Sequence, residues 1–124
     1  MKLLLVDDEA TARTILKEQI GRALPNCEII EAQNGAEALF HFFKEQPDLI
    51  LLDLLMPTVN GEVFLDVVEN CASIGLITKE PRVVVITSFN DATKLMELSN
   101  RPCVEKVIPK PITAATISLL KSIF

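Results

Sequence analysis

Three apolar runs without polar alternation constrain this chain most: Lys2–Val6 (KLLLV), Leu49–Leu52 (LILL) and Val83–Ile86 (VVVI). A strand with one wet face alternates apolar and polar residues, so uninterrupted runs of this length read as strands covered on both faces. Two further runs complete the set. Cys27–Ile30 (CEII) is shorter and more polar, and Val104–Ile108 (VEKVI) alternates, which places it at a sheet edge.

Helical patterns separate the runs. Ala12, Ile15, Leu16, Gln19, Ile20 and Ala23 form an apolar stripe with one polar lapse at Gln19. Gly35 to Lys44 repeats it through Leu39, Phe40 and Phe43, and Pro47 stops it. Gly61 to Asn70 offers Val63, Phe64, Val67 and Val68, while Asn90 is placed to cap a short helix through Leu95, Met96 and Leu98. Ile112, Ala115, Leu119, Leu120 and Ile123 make the last stripe. Cys71 to Pro81 resembles an insertion, and Ile74, Leu76 and Ile77 predict a packed loop or a helix extension there. The alternation is (βα)5, an α/β doubly wound parallel sheet of five strands in the order 2-1-3-4-5, forming one domain over residues 1–124.

Charge and composition narrow the function. A net charge of −5 and a pI near 4.8 argue against nucleic-acid binding by this chain and fit a carboxylate-rich site that attracts cations. The opening MKLLLVDDE has too short an apolar run for a signal peptide, and no segment approaches the ~18 apolar residues of a membrane span. A soluble, cytoplasmic protein with no membrane partner is expected. Cys27, Cys71 and Cys103 are widely spaced and odd in number, so they read as small apolar side chains in a reducing compartment.

The polar residues fall where the strands end. The first strand ends in Asp7-Asp8, the third in Asp53, the fourth in Thr87-Ser88, and the fifth close to Lys110. Parallel strands put all these ends on one sheet edge, and for this strand order the reversal point lies between the first and third strands. Three carboxylates therefore share one crevice with a hydroxyl and an ammonium. Crowded carboxylates repel, and a divalent cation relieves that conflict. Oxygen-only ligation suits Mg2+. Such a metal beside a carboxylate, a hydroxyl and a lysine makes a phosphoryl-transfer site, with Asp53 as nucleophile and Lys110 and Thr87 sharing the phosphoryl charge.

Taken singly, each residue has a plainer role. Asp8 could cap the first helix, Thr87 could end a strand, and Lys110 could be a solvated surface lysine. Asp53 is harder to dismiss, because an acid after LILL is costly to bury without purpose. The plain readings together require four coincidences on one edge. His41, the only histidine, reads as structural or surface, Met56 as packing, and Pro57 with Gly61 as a tight loop into the third helix.

DD after the first strand, D-x-x-MP-x-x-x-G from Asp53 to Gly61, Thr87 after the fourth strand and Lys110-Pro111 after the fifth resemble the receiver domain of two-component response regulators. The resemblance covers essentially the whole chain and implies a flavodoxin-like fold. It implies that Asp53 is the phosphoacceptor and that Asp8 and Asp53 bind Mg2+, with Asp7 acting partly through water. It also implies that the Leu55 backbone carbonyl completes the ligands, that Thr87 and Lys110 bind the phosphoryl group, and that the Lys110–Pro111 bond is cis. The donor would be a phosphohistidine on a sensor histidine kinase or phosphotransfer protein. A downstream effector, an output domain beyond Phe124 and a homodimer are the further partners it allows.

Some positions depart from the family pattern. Val107 stands where an aromatic switch residue is common, Ser88 where alanine is common, and Asn100-Arg101-Pro102-Cys103 replaces the usual Ala-Gly-Ala before the fifth strand. Leu55 and Phe89, two residues beyond Asp53 and Thr87, are apolar and would shield an acyl phosphate from water, which predicts slow self-dephosphorylation. Two rival functions use the same parts. A haloacid-dehalogenase-type phosphatase usually has a second aspartate where this chain has Leu55 and carries a cap domain, which makes it the weaker rival. A pure interaction module on the same fold is the second rival, kept by Val107 and by the altered entry to the fifth strand.

Overall fold

The computed structural model describes residues 1–56, 59–77, 79–88 and 90–123. Five strands alternate with five helices: β1 (Lys2–Val6), α1 (Ala10–Ala23), β2 (Glu28–Ala32), α2 (Gly35–Glu45), β3 (Leu49–Asp53), α3 (Gly61–Ser73), β4 (Arg82–Thr87), α4 (Ala92–Ser99), β5 (Val104–Pro109) and α5 (Ala114–Ile123). All pairings are parallel and the order is β2-β1-β3-β4-β5, as the sequence predicts. The polar runs β2 and β5 form the edges.

The unalternated runs are buried because successive side chains of a strand enter opposite layers. Leu4, Val6, Ile50, Leu52, Val83 and Val85 pack into one core with Phe42, Phe64 and Leu98 from α2, α3 and α4. Leu3, Leu5, Leu49, Leu51, Val84 and Ile86 pack into the other with Leu16, Ile20 and Leu120 from α1 and α5. Each fully buried leucine contributes about 1.5–3 kcal/mol of transfer free energy, so the sheet is held rigidly from both sides.

The helix faces differ from the sequence expectation in phase. In α2 the core face is Ala38 and Phe42, while Phe43 is exposed and Phe40 is 59% exposed. Asn34 caps this helix by accepting from the Glu37 N–H at 2.8 Å, and Gly35 abuts Val59. That start turns positions 38 and 42 inward, where Phe42 meets the edge of Phe64. In α1 the face is Leu16 and Ile20, leaving Ile15 52% exposed. In α3 it is Phe64, Leu65, Val68 and Cys71, with Val63 outside. In α5 Thr116 and Leu120 are buried and Ala115 is exposed. Adjacent apolar residues leave two helical phases open, and only the cap and the neighbouring helix select one.

Asp91, not Asn90, caps α4, and its Oδ1 accepts from the Thr93 N–H at 3.0 Å and the Lys94 N–H at 3.3 Å. Asn90 lies one residue too early to reach those amides. Helix α3 extends to Ser73, but Ile74 and Leu76 beyond it are exposed and only Ile77 of that group packs on the core.

Two glycines predict opposite outcomes. A Cβ on Gly61 would sit 2.7 Å from Leu54 Cα and 2.9 Å from the Asp53 backbone oxygen, whereas one on Gly21 in α1 meets nothing within 4 Å. Gly61→Ala is expected to lower unfolding stability by about 1–3 kcal/mol through overpacking. Gly21→Ala is expected to raise it by about 0.5–1 kcal/mol by restricting the unfolded chain and favouring the helix. Urea unfolding followed by circular dichroism measures both.

Candidate functional site

The site forms where β1, β3, β4 and β5 end together. Asp7 follows β1 directly, Asp53 and Thr87 are the last residues of β3 and β4, and Lys110 follows β5. Burial of LLLV and LILL on both faces carries Asp7 and Asp53 to the edge as buried groups, Asp53 only 6% exposed, while Asp8 reaches solvent. Thr87 is buried as well. One carboxylate oxygen from each of Asp7, Asp8 and Asp53 lies within 4.8 Å of the others. The three predicted acids are thus brought together, with the lysine beside them.

Backbone and side-chain bonds fix this arrangement. The Asp7 N–H donates to the Ala32 carbonyl at 3.1 Å, continuing the β1–β2 ladder. Asp7 Oδ1 accepts from the Glu9 N–H at 2.9 Å, and its carbonyl accepts from the Arg13 guanidinium at 2.7 Å. Asp53 Oδ1 accepts from the Leu55 N–H at 3.2 Å. The Gly61 N–H donates to the Leu54 carbonyl at 3.0 Å, closing the loop against α3. The Lys110 N–H donates to the Thr87 carbonyl at 2.9 Å, and the Lys110–Pro111 bond is cis. The Lys110 ammonium lies 3.1 Å from Asp53 Oδ2 and 3.4 Å from Asp7 Oδ2.

Two cavities flank the acids. One, of about 470 Å³, is lined by Asp8, Leu54, Leu55, Met56, Asn60, Glu62 and Lys94. The other lies towards α1 and the chain after Lys110, and Ile15, expected in the core, forms part of its wall. Leu55 is 54% exposed at the mouth of the first. Phe89, its expected apolar partner, and Pro57 of the loop motif lie outside the described residues. Sequence reasoning missed Asn60, Glu62 and Lys94 as lining groups. A lysine in the first turn of α4, where helices disfavour cations, was the available signal for the last.

The cavity chemistry follows from charge. Burial pushes the Asp53 carboxyl up from 3.8, with the Asp7 carboxylate adding to the effect, against the opposing pull of Lys110 and the Leu55 N–H. Burial pulls Lys110 down, but Asp53 and Asp7 outweigh it and hold the ammonium above 10.5. Asp53 is therefore strained as an anion, and the lysine stays charged. Oxygen donors alone, converging on one point, fit a hard divalent cation such as Mg2+.

A raised carboxyl pKa means that the folded state binds the proton more tightly than the unfolded chain. The contribution of Asp53 to stability is thus greatest in acid and falls as pH rises from 3.8 through its folded value. In metal-free buffer, Asp53→Asn is expected to stabilise the protein at neutral pH, with the gain disappearing below pH 3.8. Urea unfolding of the two proteins across this range checks it. A variant less stable than wild type at neutral pH would show that the Lys110 contact, not burial, dominates Asp53.

Comparison with known proteins agrees with this geometry. The response regulator receiver domain model matches residues 3–120. Sporulation initiation phosphotransferase F of Bacillus subtilis (strain 168) is 30% identical over 96 residues, covering 77% of this chain and 71% of that protein. A relative named for transcriptional regulation, ycf27 of Porphyra purpurea, is 47% identical over 60 residues, which are 48% of this chain and 24% of the relative. The chain spans about a quarter of the length of such curated relatives. The chemotaxis protein CheY4 of Vibrio cholerae superposes with a TM-score of 0.78 at 25% identity, covering 98% of this chain and 94% of that one. The response regulator protein TrrA of Thermotoga maritima, solved in complex with Mg(2+)-BeF, superposes with a TM-score of 0.76 at 27% identity, covering 99% and 98%. The chain belongs to the response regulator receiver domain family, and is a phosphorylation-dependent signalling switch.

Proposed function

We propose that Asp53 is the phosphoacceptor of this switch. The observation that carries the reading is the convergence of Asp7, Asp8 and Asp53 within 4.8 Å, with the Lys110 ammonium 3.1 Å from Asp53 Oδ2. An Asp53 oxygen attacks the donor phosphorus, forming the O–P bond of an aspartyl phosphate as the donor P–N bond breaks. The departing imidazole nitrogen keeps the electron pair of that bond. The Lys110 ammonium holds the acceptor oxygen in place and faces the negative charge that builds on the phosphoryl oxygens. The buried Thr87 hydroxyl, one strand away, contributes a hydrogen bond to the same group.

Asp7, Asp8, Asp53 and the Leu55 backbone carbonyl would hold Mg2+. When bound, Mg2+ offsets the negative charge of the carboxylates and of the phosphoryl oxygens. The exposed Leu55 side chain beside the crevice would limit access of water to the acyl phosphate. The donor is a phosphohistidine of a sensor histidine kinase or of a phosphotransfer protein. Output runs through a downstream effector or an output domain joined to this receiver domain, residues 1–124, in the cytoplasm. A homodimer is a further form in which the altered surface could act.

Intact-mass measurement after incubation with acetyl phosphate and Mg2+ tests this reading. A single phosphoryl adduct is expected in the wild type, absent with chelator and absent in Asp53→Asn. An adduct that persists undiminished in Asp53→Asn would place the acceptor elsewhere.

A further inference from the structure

Helices favour acids in their first turn and disfavour cations there, because the free N-terminal amides carry partial positive charge. Glu62 in the first turn of α3 obeys this rule. Lys94 in the first turn of α4 breaks it. Its ammonium is held by Glu62 Oε1 at 2.6 Å, across the space between the two helices. Both side chains line the cavity walled by Asp8, Leu54 and Leu55. A locally unfavourable cation is thus placed at the side of the acidic site, with an acid of the neighbouring helix restraining it. Local rules broken in this way concentrate at functional positions.

The anchoring of α4 makes the pair consequential. Leu98 is the buried residue of this helix, and Met96 is exposed. Beyond the far end of the helix, Arg101 grips α3 through Asp66 at 2.8 Å and Glu69 at 2.7 Å. Among the described residues, the first turn is tied to α3 by Lys94 and Glu62 and braced by its Asp91 cap. A partly exposed single pair is weak, and Asp8, in the wall of this cavity, has a carboxylate oxygen within 4.8 Å of one from Asp53, so a new charge on Asp53, at the border of the cavity, can compete for the ammonium. Conversion of the Asp53 carboxylate to an acyl phosphate adds such a charge, and the flexible lysine stem can turn towards it.

We propose that the Lys94–Glu62 pair is a charge-operated latch: a phosphoryl group on Asp53 draws the Lys94 ammonium off Glu62 and releases the first turn of α4 from α3. This rests on the reading of Asp53 as phosphoacceptor. It also gives α4 a route of response that does not need an aromatic ring at Val107, which packs against the core beneath the sheet edge.

Amide NMR spectra with and without Mg2+ and beryllofluoride, a tetrahedral mimic of the phosphoryl group, test the latch in wild type, Lys94→Gln, Lys94→Arg and Glu62→Gln. The Leu54 and Leu55 amides report occupancy of Asp53, and the Ala92 to Leu95 amides report the latch. In wild type both sets are expected to shift on addition. In Lys94→Gln and Glu62→Gln the α4 amides should already be displaced before addition and should lose most of their further response, while Leu54 and Leu55 still shift. Lys94→Arg should behave as wild type. Full wild-type α4 responses in Lys94→Gln and Glu62→Gln, from undisplaced starting positions, would overturn the latch and leave the phosphoacceptor reading intact. No shift at Leu54 and Leu55 in wild type would overturn that reading, and the latch with it.

Discussion

Asp7 and Asp53 are buried side by side at the end of a parallel sheet, with Asp8 at their rim, and like charges so close repel. No arrangement of these side chains alone relieves that repulsion, because Lys110 supplies a single ammonium to two buried carboxylates. The rest of the structure serves to hold the conflict in place. Apolar packing on both faces of β1 and β3 keeps the strand ends from moving apart. The ladder bond from Asp7 to Ala32 and the Arg13 bond to the Asp7 carbonyl fix the main chain, and the Glu9 N–H holds the carboxylate. Burial first, and the Asp7 carboxylate after it, push the Asp53 carboxyl up against the pull of Lys110, and added positive charge would relieve what remains.

The same edge separates two environments. Towards α1, the cavity walls are mainly apolar, with Leu5, Val6, Ala12, Ile15 and Leu16. Towards α4, the walls carry Asn60, Glu62 and Lys94 besides Asp8. Charge changes at Asp53 reach the α3–α4 side past Asp8, where the Lys94–Glu62 ion pair adds to the core that Phe64 and Leu98 share. The substitution of Arg101-Pro102-Cys103 for small residues before β5 belongs to that side too, since Arg101 ties the chain after α4 to two acids of α3.

The strands and the acids at their ends were legible in the sequence because burial on both faces removes alternation, and because a carboxylate following LLLV or LILL has no routine structural reason to be there. The parallel sheet followed from the alternation of strands and helices, and the crevice between β1 and β3 followed once the order 2-1-3-4-5 was taken; the connections alone leave other doubly wound orders open. Helix faces were less legible. Leu39 to Phe43 holds apolar residues at adjacent positions around a histidine, so the phase that buries Phe42 and exposes Phe40 depends on the Asn34 cap and on Phe64, neither of which periodicity reports. Asn90 and Asp91 are both good caps, and the start of α4 at Ala92 makes Asp91 the one that serves. Glu62 and Lys94 are distant in sequence, and their pairing exists only once α3 and α4 lie side by side.

In the proposed switch, one sheet edge makes Asp53 the bonding partner of a phosphoryl group while Asp7 and Asp8 share a cation with it. A crystal structure of the protein with Mg2+ and beryllofluoride tests this most directly. Beryllium is expected to be bonded to an Asp53 carboxylate oxygen, with Lys110 and Thr87 against the fluorides and one Mg2+ among Asp7, Asp8, Asp53 and the Leu55 carbonyl. Beryllium bonded to another residue, or Mg2+ bound away from these carboxylates, would contradict it.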